Sequence, residues 1–171
     1  MLNEFIGDLV IGSRAMGWLD APSLQAKVSQ EFKVTMHRMC VWHVIATLSK
    51  WQEVYDCYHE VFPDDVRKAS RDLRKELERR GVRDFRNTVV GHILDKKTKK
   101  PISKADIDKK LNDIFSGSYE GFLLWVNTPG GNVFPSTVVS IVEEIRDRLT
   151  QKYSITPAEL FPWKQQEKAA I

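Results

Sequence analysis

Cysteine is scarce in this sequence. Cys40 and Cys57 are the two present, with no CxxC pair and no Cys/His cluster. That argues against a disulfide framework and a structural zinc site, and makes a reducing cytoplasm the expected compartment. Long apolar runs are absent as well. Nothing approaches the roughly 20 residues that a membrane-spanning helix requires. The opening Met1-Leu2-Asn3-Glu4-Phe5 lacks the basic start of a secretory signal. An excess of one charge is also lacking: 26 Lys and Arg face 23 Asp and Glu, for a net +3. A nucleic-acid footprint resting on net charge would be more lopsided, although contact with RNA is permitted. There is no internal repeat, low-complexity tract or linker. What remains is an ordinary globular composition, 42% hydrophobic and 29% charged over 171 residues. That length fits one domain with a sizeable core, set here at residues 1–163, followed by a frayed tail at 164–171.

Helical spacing dominates the chain. Leu2, Phe5, Ile6, Leu9 and Val10 predict one helix over 2–18, with Gly12 and Gly17 as its weak points. Leu24, Val28, Phe32, Met36, Met39, Val44 and Leu48 predict a long helix from about 22 to 62, with a candidate break near Ser49. Pro63 ends it. Asp64 and Asp65 offer a cap and negative charge to the next helix, which runs to about residue 80 with Val66, Ala69, Leu73 and Leu77 on one side. Glu76 and Arg80 are spaced as an ion pair, and Gly81 is a natural stop. Ser103 and Asp106 predict a capping box opening a helix through Phe115. Ser116-Gly117-Ser118 breaks it. Tyr119 to Val126 reads as a further helix, since an isolated strand would have nothing to pair with. Thr128 to Asn132 is a turn. Ser136 is placed to cap a helix carrying Val138, Val139, Val142, Ile145 and Leu149, and Thr156 to Glu159 is another capping box. The fold class that follows is all-α, a bundle of about five to seven helices including one long one. Trp18, Trp42, Trp51, Trp125 and Trp163 are read as core or interface aromatics, and His43 likewise.

One short segment does not fit a simple core helix: Asp84-Phe85-Arg86-Asn87-Thr88-Val89-Val90-Gly91-His92-Ile93-Leu94-Asp95. On an ideal helix with Phe85 at zero, Val89, Ile93, Val90 and Leu94 span about 40° to 180°. Arg86 falls inside that arc at about 100°, and His92 on its edge at about 340°. A guanidinium on a buried face is costly unless paired. Either the helix begins after Arg86, or Arg86 points into a desolvated cleft with a partner.

The chemistry those residue types can do is RNA cleavage by the neighbouring 2′-hydroxyl. An imidazole such as His92 moves protons near neutral pH. A guanidinium such as Arg86 stabilises the charge that builds on the phosphoryl oxygens. Asn87 is placed to orient the imidazole or hold a phosphate oxygen. No metal or cofactor is called for by the sequence. Lys96, Lys97, Lys99 and Lys100 follow directly and are candidates to track an RNA backbone, or are simply a solvated loop.

Arg86, Asn87, four further residues and His92 resemble the signature of HEPN-domain proteins, Arg-x(4–6)-His with a polar residue after the Arg. The resemblance covers seven residues. It implies an all-α bundle that dimerises, with the two motifs meeting across a two-fold axis. It implies a metal-independent endoribonuclease, in the setting of toxin–antitoxin or phage defence, restrained by an antitoxin or another regulatory protein. The competing readings are a helical module of the same ancestry that binds proteins or nucleic acid without catalysis, and an Arg86 paired to Asp84 or Asp95 beside a core histidine.

Overall fold

The computed structural model describes residues 1–22, 28–91 and 101–155 of the chain. Among them are seven α-helices, a 3₁₀ turn and a π-helical turn, and no strand. The all-α bundle expected from the hydrophobic spacing is the architecture observed.

Helix α1 spans Leu2–Leu19 without interruption. Its buried stripe is Phe5, Ile6, Leu9, Gly12, Ser13, Met16 and Leu19, the three-and-four spacing of one helix face. Gly12 is a packing point rather than a weak one. A Cβ built there would lie 2.6 Å from Val44 Cγ2 on the facing helix. Helix α2 spans Gln30–Tyr58 and starts later than the spacing predicts, because Ser29 accepts a hydrogen bond from the Phe32 N–H at 3.2 Å and caps it. Leu24 lies outside the described residues. No break occurs at Ser49; the helix continues for about 44 Å, and His59–Val61 closes it as a 3₁₀ turn.

The second half of α2 supplies Val44, Ile45, Leu48 and Trp51 to the core. Trp51 stacks on Phe62 and meets Phe5 edge-on. Its first half differs from expectation: Phe32, Val34 and Met39 are exposed. Trp18 is 62% exposed and is likewise outside the core. His43 is also exposed, with its Nε2 3.6 Å from Asp8 Oδ1.

Helix α3 spans Asp64–Arg79 and buries Val66, Ser70, Leu73 and Leu77. Neither aspartate caps it by a side-chain hydrogen bond; both lie inside the first turn, where their charge still suits the helix dipole. Arg80 closes the helix, and Gly81 takes the left-handed conformation (φ 70°) that lets the chain turn into α4, Val82–Phe85. Helix α5 spans Lys104–Phe115, capped by Ser103 through the Asp106 N–H at 3.1 Å. Ser116 and Gly117 have positive φ and reverse the chain into α6, Tyr119–Val126. Helix α7 spans Val138–Lys152. Its cap is Thr137, not Ser136, in a capping box closed by Ser140. Thr156 to Glu159, Trp163 and the tail at 164–171 lie outside the described residues.

Helix α1 packs against α2, α7 and α6, while α2 packs on its other side against α3 and α4. A buried polar chain joins the α6–α7 connection to α1. Asn127 Nδ2 donates to Ser13 Oγ at 3.0 Å, Asn132 Nδ2 donates to Asn127 Oδ1 at 2.8 Å, and Thr137 Oγ1 donates to Asn132 Oδ1 at 2.9 Å. No helix among the described residues is long and apolar enough to cross a membrane.

Candidate functional site

The Arg86 segment departs from α-helical geometry. After four residues of α4 the chain widens into a π-helical turn, Arg86–Val90, closed by the Gly91 N–H donating to the Arg86 carbonyl at 2.8 Å. Closing a turn on the fifth residue inserts an extra residue and rotates everything after it relative to an ideal helix. Phe85 and Thr88 stay buried, and Thr88 Oγ1 donates to the Asp84 carbonyl at 2.7 Å. Val90, expected on the apolar arc, is exposed.

Neither alternative posed for Arg86 describes it. The helix begins before Arg86, and its side chain is 41% exposed rather than desolvated. Its Nη1 donates to Asn87 Oδ1 at 2.9 Å and lies 3.7 Å from Glu53 Oε1. Asp84 is not its partner, because the Lys110 ammonium takes that carboxylate. Arg86 and Asn87 are therefore together at the surface. His92, Asp95, Lys96, Lys97, Lys99 and Lys100 lie outside the described residues.

Next to this pair is a polar cluster not anticipated from sequence. Asp56 on α2 accepts from Arg74 Nε at 2.9 Å and from Arg83 Nη2 at 2.7 Å. Partial burial pushes the Asp56 carboxyl up, but the two guanidinium groups outweigh it and hold it below its ordinary range. Arg74 is raised in turn, chiefly by its hydrogen bond to Asp56. A cavity of about 330 Å³ opens here, lined by Gln52, Arg74, Glu78, Arg83, Asp84 and Asn87. Two of its lining residues carry buried polar atoms with no hydrogen-bond partner among the described residues: Gln52 Oε1 and Arg83 Nε. The partners in this cluster lie 18 and 27 residues apart, beyond any local spacing rule.

A larger cavity of about 540 Å³ lies between the end of α1, the first half of α2 and α5, and shares no lining residue with the first. His37 lines it and pairs through Nε2 with the Tyr119 hydroxyl at 2.5 Å; burial pushes that phenol up from its ordinary value. No group of three or more His, Cys, Asp or Glu side chains among the described residues is placed to hold a metal ion.

The helical bundle and a surface Arg–Asn pair on a π-helical turn thus define the molecule in structural terms. No family model matches the chain, and no curated protein matches it. A solved structure is similar: the integron cassette protein Vpc_cass2, from the mobile metagenome of V. paracholerae. It is 20% identical with a TM-score of 0.58, over 87% of this chain and 91% of that one. At that identity the likeness is one of fold.

Proposed function

We propose that the chain is a HEPN-like endoribonuclease acting as a cytoplasmic homodimer in toxin–antitoxin or phage defence. The observation that carries this reading is the π-helical turn beginning at Arg86. Such turns are rare, and they are found frequently at functional sites. Here the turn sits on the residues that resemble the family motif, and it leaves the guanidinium at the surface with a carboxamide beside it. In the proposed reaction the 2′-oxygen attacks phosphorus and the bond to the 5′-oxygen breaks. The products are a 2′,3′-cyclic phosphate and a 5′-hydroxyl. His92 relays the proton from the 2′-hydroxyl to the leaving oxygen, Arg86 stabilises the phosphoryl oxygens, and Asn87 holds the guanidinium in place. Lys96, Lys97, Lys99 and Lys100 would track the RNA backbone.

The test is incubation of purified chain with single-stranded RNA in excess chelator. Cyclic-phosphate ends that vanish with Arg86→Ala and with His92→Ala are the expected result. Intact RNA with the folded parent chain would overturn the reading. A second reading, a non-catalytic interaction module, is favoured by the exposed Phe32, Val34 and Met39 on α2 together with Trp18. It predicts that both alanine variants leave RNA untouched and change only assembly.

A further inference from the structure

The larger cavity, between the end of α1, the first half of α2 and α5, has walls that the cleavage chemistry does not use. Its lining on α2 runs from Gln30 to Trp42, about 18 Å of helix. On that face Val34 keeps the heptad spacing of the buried Val41 and Leu48, yet it is 56% exposed. The core face of α2 therefore runs on past the packed bundle and into the cavity. Leu111 and Phe115, one turn apart on α5, and Leu19 at the end of α1 complete an apolar wall. Covering such a surface with an apolar group is favourable.

The charges sort to two sides of that wall. With Val41 at zero on an ideal helix, Val34 lies at about 20°, His37 at about −40° and Lys33 at about −80°. Arg38 lies at about 60° and Trp42 at about 100°. Asp20, the acid among the described lining residues, stands on the first side, 4.0 Å from His37 Nε2. The Tyr119 hydroxyl meets the same nitrogen at 2.5 Å, and burial pushes that phenol up, so it stays neutral and adds no negative charge. Arg38 stands on the second side, its guanidinium carbon 5.6 Å from the Trp42 ring centroid, and no carboxylate among the described residues pairs with it.

A volume of about 540 Å³ is well inside the range of small-ligand sites. A helix about 10 Å across and 18 Å long fills about 1,400 Å³, so a whole helix does not fit. A cationic ligand would face Lys33 and Arg38, and a bare phosphate would leave the apolar wall wet. We propose that this groove binds a free, monomeric amphipathic carboxylate. Its slender apolar body lies along Val34, Val41, Leu111 and Phe115. Its head pairs with the Arg38 guanidinium, a planar group suited to a two-point carboxylate contact. The site goes beyond the ribonuclease reading, and it shares no lining residue with the cavity beside Asn87.

The experiment is calorimetric titration of the full chain with decanoate below its micelle concentration. Decyltrimethylammonium, which carries the same tail on a cation, is the comparison. Decanoate is expected to bind at one site per chain, at least tenfold tighter than the cation. Val34 and Arg38 are both exposed, so Val34→Asp and Arg38→Glu should leave the thermal midpoint unchanged. Each should weaken decanoate at least tenfold. No binding of decanoate, equal binding of the cation, several molecules bound per chain, or undiminished binding by either folded variant would overturn the site. So would cosedimentation with phosphatidylglycerol vesicles by a chain that ignores free decanoate. Arg86→Ala should bind decanoate as the parent does, so loss of the nuclease and loss of this site read out separately.

Discussion

Arg80 lies over the face of Trp125, its guanidinium carbon 4.2 Å from the indole centroid. The same side chain, 10% exposed, pairs with Glu76 at 2.7 Å and donates to the Ile114 carbonyl at 2.6 Å. One residue thus clamps the end of α3 to α5 and α6. Its charge is buried, yet it is met by a carboxylate, a carbonyl and a π-face.

Arg80→Ala is therefore expected to cost about 3 kcal/mol, because it strands a buried carbonyl and opens a space beside Trp125. Denaturant unfolding measures it. Arg80→Lys should recover only part of the loss, since an ammonium cannot spread flat on the indole while serving both oxygens. A loss under about 0.5 kcal/mol, the range of an ordinary surface substitution, would show that the clamp is dispensable.

Glu76 gives the molecule an acid limit. The two Arg79 hydrogen bonds first, and then the one from Arg80, pull its carboxyl down to about 2 from 4.5, against the opposing effect of burial. A depressed folded pKa adds stability above pH 4.5, and that contribution is lost as pH falls from 4.5 toward 2. Partial exposure of the Arg79 pair makes about 2 kcal/mol a fair magnitude after screening. Glu76→Gln should lower stability at neutral pH and flatten the melting profile between pH 4.5 and pH 2. A parallel profile in the variant would show that other carboxylates set the limit.

Gly12 allows α1 to approach α2 closely. Gly12→Ala should destabilise by about 1–3 kcal/mol, even though alanine is the better helix former by about 1 kcal/mol. The reason is the 2.6 Å contact its Cβ would make with Val44 Cγ2. Val44→Ala in the same chain should relieve the clash, so the two changes together should cost less than their sum. Strict additivity in a double-mutant cycle would contradict the contact.

Gln52→Leu should stabilise the chain by about 1 kcal/mol, because it replaces an unmet buried amide with a side chain of similar volume. Calorimetry of the two chains decides it; a lower midpoint for the leucine variant would mean that the amide already has its partner.

The helices were legible where local chemistry writes them. Ser103 with Asp106, the positive-φ site at Gly81 and the stop at Ser116-Gly117 are all short-range signals, and each stands where its residues place it. Burial was less legible. Phe32 and Met39 keep core spacing with Val44 and Leu48, but spacing cannot tell whether a neighbour lies opposite, and at the start of α2 they stay exposed. Ser136 is by type at least as good a cap as Thr137; the return bond that the Thr137 N–H donates to Ser140 Oγ selects Thr137. The turn at Arg86 was hidden for a different reason. A constant 100° step assumes the α-helix it sets out to test, and the wider turn changes where Arg86 and Val90 point. Gln52 and Asp56 share a face of α2 by their four-residue spacing, but only tertiary packing brings Arg74 and Arg83 to Asp56, so no spacing rule could find that cluster.

The placement of α1 between α2 and α7 has a consequence for synthesis. Helix α1 ends at Leu19, while α7 opens at Val138. A nascent chain can therefore zip α1 onto α2 early, yet the far side of α1 stays wet until the last of these helices clears the ribosome exit tunnel. Chains halted before that point would expose a greasy seam, and they are the species on which holding chaperones should be found.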